Sequence, residues 1–326
     1  MIGQSVPMRR IMSLIERVAS SDLPVLITGE TGTGKEVTAQ LIHQLSSRRN
    51  GPFLPVNCAA IPDTLIESLL FGHERGAFTG ADRRQEGFFC SATGGTILLD
   101  EFTEIRCETQ AKLLRVLEEG KVLRVGATRE TPIDVRVLAA SNRPLEKAVR
   151  EGALREDLLF RLKVFPVHLP PLRERIEDLP LLIEHFIQKT NARHGKQITG
   201  IDDGCFNVLA GYWWPGNIRE LKHVIERAAI VCESATLTAN DLPSDVQLAA
   251  GPESLFTIHL GSSVREVVDE LIWRTIAYAQ GNKVRAAKIL GVGRRTIYSR
   301  LEQYDGHETK SRVNGSPYRN GRNGLT

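Results

Sequence analysis

The most chemically pointed segment of the chain is Gly29-Glu30-Thr31-Gly32-Thr33-Gly34-Lys35. Three glycines let the backbone curl until several N–H groups face one centre, and the lysine adds a full positive charge. The apolar run before it, Pro24–Thr28, reads as a strand, and Lys35–Leu45 after it reads as a helix. A glycine-rich turn opening onto a helix N-terminus cradles phosphate, because free N–H groups and the helix dipole both favour anions. Lys35 is placed to reach the β- and γ-phosphates of a nucleotide. Glu36 stands where a Ser or Thr ordinarily offers Mg²⁺ a hydroxyl. Farther along, Thr96-Ile97-Leu98-Leu99-Asp100-Glu101 is an apolar strand ending in two acids. At such a strand end Asp100 orients the Mg²⁺ shell and Glu101 polarises an attacking water. The two segments together predict hydrolysis of ATP and not only its binding.

The elements that must position these groups are legible as alternating patterns. Strands are expected at Pro24–Thr28, Phe53–Asn57, Thr96–Asp100, Val135–Ser141 and Val164–Leu169, with amphipathic stretches such as Lys35–Leu45 and Thr109–Glu119 between them. Alternation of this kind predicts an α/β domain, residues 1–170, with a parallel sheet covered on both faces. Residues 1–20 read as a helix feeding the first strand. After Pro170-Pro171 only helical patterns follow, at Ile176–His194, Asp202–Gly211 and Asn217–Cys232, which predicts a helical unit over 171–243. Residues 244–262 read as a linker, 263–304 as a second helical unit and 305–326 as a disordered polar tail.

Composition bounds the rest. The 326 residues are 41 % apolar and 25 % charged, ordinary for a water-soluble chain of two or three domains. No apolar run is long enough to cross a bilayer and the N-terminus lacks a signal-peptide core, so a cytoplasmic location without membrane contact is expected. Cys58, Cys90, Cys107, Cys205 and Cys232 are scattered without a CxxC pair and are expected as small buried groups, not as metal or disulfide sites. Net charge is +3, yet residues 283–326 hold ten Lys or Arg against three Asp or Glu. A basic C-terminal end of this kind suits nucleic acid. Within it, Ala286-Ala287, Leu290-Gly291-Val292, Ile297 and Leu301 fit two short helices about a glycine turn, a helix-turn-helix. Arg294, Arg295, Thr296 and Ser299 then stand near the start of the recognition helix. Arg295 is the candidate for a guanine edge, with Lys288 and Arg300 for phosphates.

One hexapeptide is more specific than any of these. Gly76-Ala77-Phe78-Thr79-Gly80-Ala81 follows Phe71-Gly72-His73-Glu74-Arg75. Together with GETGTGKE, VNCAAIP, GGTILLDE, AKLLRVLEEG, LREDLLFRL, LPPLRER and WPGNIREL, it resembles the bacterial enhancer-binding proteins, the AAA+ activators of sigma-54 RNA polymerase, over residues 1–243. The C-terminal unit resembles the Fis-type domain that ends many of them. The resemblance implies an AAA+ sheet domain with a helical lid. It implies that Phe78 and Thr79 make or support contact with sigma-54 and that Lys121–Pro132 is a second pore loop. By the same resemblance Asn57 is a switch residue coupled to Glu101, Asn142 reads the γ-phosphate, and Arg219 reaches ATP from the lid. Arg155 and Arg161 are implied to act on the ATP of a neighbouring subunit, hence a ring, usually a hexamer, on upstream activator DNA. The alternative is a DNA-binding regulator whose ATPase domain serves assembly only. A hetero-oligomeric activator also fits. Relatives usually begin with a regulatory domain, whereas the matching segments here start within the first residues. That implies control by a separate protein, by a partner subunit or by abundance, or else a sequence that is part of a longer chain.

Overall fold

The computed structural model describes residues 1–250, with side chains to 247, and then 263, 267–269, 271, 272, 275, 276, 279 and 282–297. The chain divides into two units, 1–246 and 247 onward.

Five parallel strands form the first unit's sheet: β1 (Val25–Thr28), β2 (Phe53–Asn57), β5 (Thr96–Asp100), β8 (Arg136–Ser141) and β9 (Phe165–His168). Their order is β2-β5-β8-β1-β9, with Asn57 beside Asp100 and Thr28 beside Ser141 at the carboxyl ends. The intervening strands are two short antiparallel hairpins, β3 (Gly72–His73) with β4 (Gln85–Glu86) and β6 (Lys121–Leu123) with β7 (Glu130–Pro132). All five expected sheet strands are present, their ends within one residue of the sequence reading. The central β5 and β8 are buried along nearly their whole length, so they read as unbroken apolar runs.

Strand alternation sorts the core into two layers. Leu26, Ile97, Leu99, Val137 and Ala139 face one side, under α3 (Asp63–Phe71), α5 (Cys107–Glu119) and α7 (Glu156–Leu162). Val25, Ile27, Leu98, Leu138 and Ala140 face the other, under α1 (Val6–Ala19) and α2 (Lys35–Gln44). The short helices α4 (Phe88–Ser91) and α6 (Leu145–Arg150) complete this part.

Residues beyond Pro171 build a separate core around the fully buried Trp214, whose indole N–H donates to Leu209 O at 2.9 Å. Its helices are α8 (Leu179–His194), α9 (Asp203–Gly211) and α10 (Asn217–Val231). Two expectations are corrected here. The helix-only reading misses a two-residue parallel pair, β10 (Gly200–Ile201) with β11 (Thr236–Leu237), too short to leave a period-2 pattern. The linker does not begin at 244, because α11 (Ser244–Ala250) is helical and Leu242 and Val246 pack into the lid core. Pro243 precedes this helix, and its carbonyl accepts from Val246 N at 3.0 Å.

In the second unit, Asn282 caps the helix Lys283–Ile289, accepting from Arg285 N at 3.0 Å. Gly291 then turns with φ 65°, and a further helical segment spans 294–297. Ile272, Ile276, Ala279, Ala286, Ala287 and Ile297 form its core. Ser299, Arg300 and the 305–326 tail lie outside the described residues. No described helix is long and apolar enough to cross a membrane.

Candidate nucleotide site and its projecting loops

The carboxyl ends of β1, β5 and β8 converge on one cleft, as expected where a strand order reverses in an open parallel sheet. The cleft has a volume of about 770 Å³ and is lined by Thr31 to Thr38, Asp100, Glu101 and Arg219. The lid contributes Leu182, Phe186 and Ile218, an apolar wall beside Ile2. Gly32 and Gly34 hold left-handed φ values of 80° and 101°. At Gly32 a Cβ would come within 2.1 Å of Gly216 O, so the loop and the lid meet with no room for a side chain.

Lys35 is buried, and its ammonium donates to Gly29 O at 3.1 Å and pairs with Glu101 Oε1 at 3.4 Å. The other oxygen of Glu101 accepts Asn142 N–H at 3.0 Å, and Asn142 Nδ2 donates to Thr31 Oγ1 at 2.9 Å. Lys35, Glu101, Asn142 and Thr31 therefore form one connected set. Glu101 holds a left-handed backbone, φ 52°. Asp100 accepts Glu101 N–H at 3.1 Å; burial, then the neighbouring Glu101 charge, pushes its carboxyl above the usual aspartate value. A carboxylate short of positive charge at a strand end fits a divalent cation. Among the described residues no cluster of three His, Cys, Asp or Glu could hold a metal alone, so phosphate oxygens and water would complete its shell. Glu36, exposed on the cleft wall, supplies no hydroxyl.

Several contributions were not singled out from sequence. Asn217, fully buried with φ 53°, accepts Leu172 N–H at 2.7 Å. Its amide donates to Thr31 O at 3.0 Å and to Glu30 Oε2 at 3.2 Å. Ile218 and Arg219 N–H both donate to Gly32 O. Arg173 grips Glu30 through both oxygens, at 2.6 and 2.7 Å, and stacks on Trp213 at 4.9 Å. These contacts hold the Glu30 carboxyl below the usual range, with Arg173 the largest cause. Arg175, also buried, donates to Thr33 O at 2.9 Å. Asp178, buried in the lid, accepts Gln4 N–H, Ser5 N–H and Ser5 O–H at 2.6–2.7 Å, which brings Met1 and Ile2 to the cleft. These partners lie in mixed polar segments near helix starts, and pairing across more than a hundred residues leaves no periodicity to mark them.

Other expected site residues lie elsewhere. Arg155 and Arg161, at the start and end of α7, do not line the cleft of their own chain; Arg155 pairs with Asp157 at 2.8 Å and Arg161 donates to Leu117 O. Asn57 does not pair with Glu101: its side chain accepts Ala59 N–H at 3.1 Å, and both Glu101 oxygens are occupied as above. In the second unit Lys288, Arg294, Arg295 and Thr296 are exposed, as a nucleic-acid face requires.

Gly76–Ala81 forms the tip between β3 and β4. Gly76 and Gly80, with φ 81° and 99°, have no atom within 4 Å of where a Cβ would stand. The turn closes through Gly76 N–H to Ala81 O and Ala81 N–H to Phe78 O. Phe78 is 41 % exposed, not core, and one edge rests on His73, itself held by Ser68 at 2.7 Å. The second hairpin is tied to the first: Val125 N–H donates to Gly72 O, Glu74 N–H donates to Val125 O, and Arg124 pairs with Glu74. Among the cysteines, Cys58, Cys205 and Cys232 are buried and Cys90 and Cys107 half-buried, all free; burial pushes the Cys58 and Cys205 thiols up to about 12.

Comparison with known proteins agrees with this geometry. A sigma-54 interaction domain matches residues 1–168, an AAA+ ATPase lid domain 173–254 and the Fis family of bacterial regulatory proteins 263–304. The regulatory protein AtoC of Escherichia coli is 43 % identical over 294 residues, 88 % of this chain and 64 % of its own. XylR of Pseudomonas putida is 44 % identical over 93 % of this chain and 57 % of its own length. FlbD of Caulobacter vibrioides is 42 % identical over 93 % and 70 %. The chain thus spans less than two thirds of AtoC and XylR. The crystal structure of NtrX from Brucella abortus in complex with ATP superposes with a TM-score of 0.72 at 34 % identity, covering 93 % of this chain and 69 % of that one. The sigma-54 interaction domain match covers more than half of the residues, and the chain belongs to the sigma-54 interaction domain family of AAA+ proteins.

Proposed function

We propose that this chain is a sigma-54-dependent transcriptional activator. It binds upstream DNA through residues 263–304 and assembles as a ring. It hydrolyses ATP at subunit boundaries and drives the Gly76–Ala81 loop against the closed sigma-54 polymerase–promoter complex to open it. The observation that carries the reading is the Glu101 carboxylate, shared between Lys35 and Asn142 at the floor of the cleft. A γ-phosphate entering the cradle competes for Lys35. Once Lys35 turns to phosphate, Glu101 is free to hold the attacking water and take its proton. Asn142, bonded to both Glu101 and Thr31, is placed to register that change. Magnesium, held by Asp100 and by the nucleotide's own oxygens, would neutralise phosphate charge. The apolar wall of Ile2, Leu182, Phe186 and Ile218 suits a planar base.

Arg155 and Arg161, outside their own cleft, suit donation to a neighbour's ATP, where a guanidinium stabilises transition-state charge. The exposed Phe78 tip suits contact with a partner, and its tie to the second hairpin suits concerted motion of both loops. Exposed Arg295 and Lys288 suit base and phosphate contacts. The test is to add the protein to a preformed sigma-54 polymerase–promoter complex and score heparin-resistant open complexes. Opening with ATP but not with a non-hydrolysable analogue is the expected result. ATP hydrolysis without opening refutes the sigma-54 step. Equal opening with the analogue refutes the motor and leaves a domain serving assembly.

A further inference from the structure

Helix α7 carries an apolar group that its own domain leaves in water. Leu158, Leu159 and Leu162 face the core, which turns Asp157, Phe160 and Arg161 outward at the i, i+3, i+4 spacing of one helical stripe; Val164 follows in the turn after the helix. Phe160 is 85 % exposed, the most exposed of the large apolar side chains among the described residues, and Val164 is 45 % exposed. Isolated aliphatic groups on a surface need no explanation. An aromatic ring flanked in sequence by Arg155 and Arg161 combines the residue types enriched at the centres of protein interfaces.

The same chain offers a matching seat. Among the residues lining the nucleotide cleft, Val37 is 51 % and Met1 38 % exposed. Both line the same cleft, and Met1 is held against the first turns of α2, where Thr38 Oγ1 donates to Met1 Sδ at 3.7 Å. Glu36, next to Val37, is exposed on the same wall, and Asp100 and Glu101 lie in the same cleft. At the rim, exposed Glu36 beside Val37 is opposite in sign to Arg161 beside Phe160, while the rest of the cleft is lined by more basic than acidic groups. Phe160 and Arg161 are adjacent on one helix. A neighbour that carries Arg161 to the phosphate end of the cleft therefore carries Phe160 to its rim.

We propose that Phe160 is the apolar anchor of the contact between two copies of this chain, seated on the Met1–Val37 edge of the neighbour's nucleotide cleft. This rests on the reading that Arg161 acts on a neighbour's ATP. The seat would link two events that are otherwise separate: covering Phe160 and delivering Arg161. Assembly and competence for hydrolysis then come from a single docking step.

The first measurement tests the underlying reading by mixing full-length Lys35→Ala with full-length Arg161→Ala. Each is deficient alone, but a mixed boundary pairs an intact cleft with an intact Arg161. Recovery of ATPase activity is expected; no recovery removes that reading and the seat with it. The second measurement follows specific ATPase activity and sedimentation against protein concentration for Phe160→Ala. The concentration giving half-maximal activity is expected to rise at least about tenfold. Phe160→Leu should recover most of the shift. The circular dichroism melt of dilute Phe160→Ala should match the parent, since the ring touches little of its own domain. Val37→Ala should shift assembly in the same direction, and the double variant by less than the product of the single shifts. Recovery in the mixture with Phe160→Ala assembling within twofold of the parent overturns the anchor while leaving the trans reading intact. Fully multiplicative effects of Phe160→Ala and Val37→Ala overturn the seat.

Discussion

The grip of Arg173 on Glu30 makes a quantitative claim about how long a nucleotide stays bound. The lid touches the phosphate loop at this pair, at Arg175, at Asn217 and at the N–H groups of Ile218 and Arg219. Arg173→Ala removes only the first contact, so the lid loosens and is not released. The pair is bidentate and charge-assisted, but the Glu30 side chain is 44 % exposed and solvent screens it. An ion pair of that exposure contributes about 1 kcal/mol. The stack on half-exposed Trp213 adds about 0.5–1 kcal/mol. Losing both at about 1.4 kcal/mol per decade predicts nucleotide dissociation faster by about 10–30-fold. Stopped-flow release of a fluorescent ADP analogue measures this directly. Arg173→Lys keeps the charge without the planar fork and should fall between parent and alanine variant. The sign of the pH dependence follows from Glu30, whose carboxyl is held below the usual glutamate value. Its contribution is full above that usual value and is lost as pH falls through the lowered one. Parent and variant should therefore differ undiminished at neutral pH and converge only in acid. Dissociation unchanged within twofold in Arg173→Ala would refute the latch.

Other consequences are as direct. Glu101→Gln should keep nucleotide affinity and lose hydrolysis by about 10²–10⁴-fold, measured by phosphate release. Asp100→Asn should melt higher than the parent at neutral pH without nucleotide, because a carboxyl with a raised folded pKa destabilises the fold wherever it is ionised; a lower melting temperature would contradict the burial argument. Phe78→Ala should retain ATPase activity and lose open-complex formation, since the ring contacts His73 at one edge and solvent at the other. Arg295→Ala should cost about 1–3 kcal/mol at its target site, whereas Lys288→Ala should weaken binding evenly across sequences and flatten its salt dependence.

The sequence made some of this site plain and hid the rest for identifiable reasons. Pro24–Lys35 and Thr96–Glu101 are local: strand, turn and charged end lie in one stretch, and period and residue type suffice to place them. Arg173, Asn217 and Asp178 act only through partners far along the chain, and nothing near them differs from an ordinary helix start. The Asn57–Glu101 coupling came with the resemblance, but the side chains have other partners here: Asn57 takes its own local turn and Glu101 turns to Lys35 and Asn142. Phe160 was concealed by its neighbours. In LREDLLFRL the apolar letters run together, and only helical geometry separates Leu158, Leu159 and Leu162, which go inward, from the ring that does not.

Glu101, Trp214 and Asn217 are the three non-glycine residues with left-handed backbone among those described, and they gather about the phosphate loop and the lid segment that grips it. Each such conformation costs on the order of 1–3 kcal/mol for an ordinary side chain and somewhat less for asparagine. A laboratory screen for heat-resistant variants would be drawn to these positions, where glycine relieves the backbone. It would also strip away the carboxylate that Lys35 and Asn142 share, the lid's buried indole or the amide that spans loop and lid. Variants selected that way would survive heating and turn over slowly.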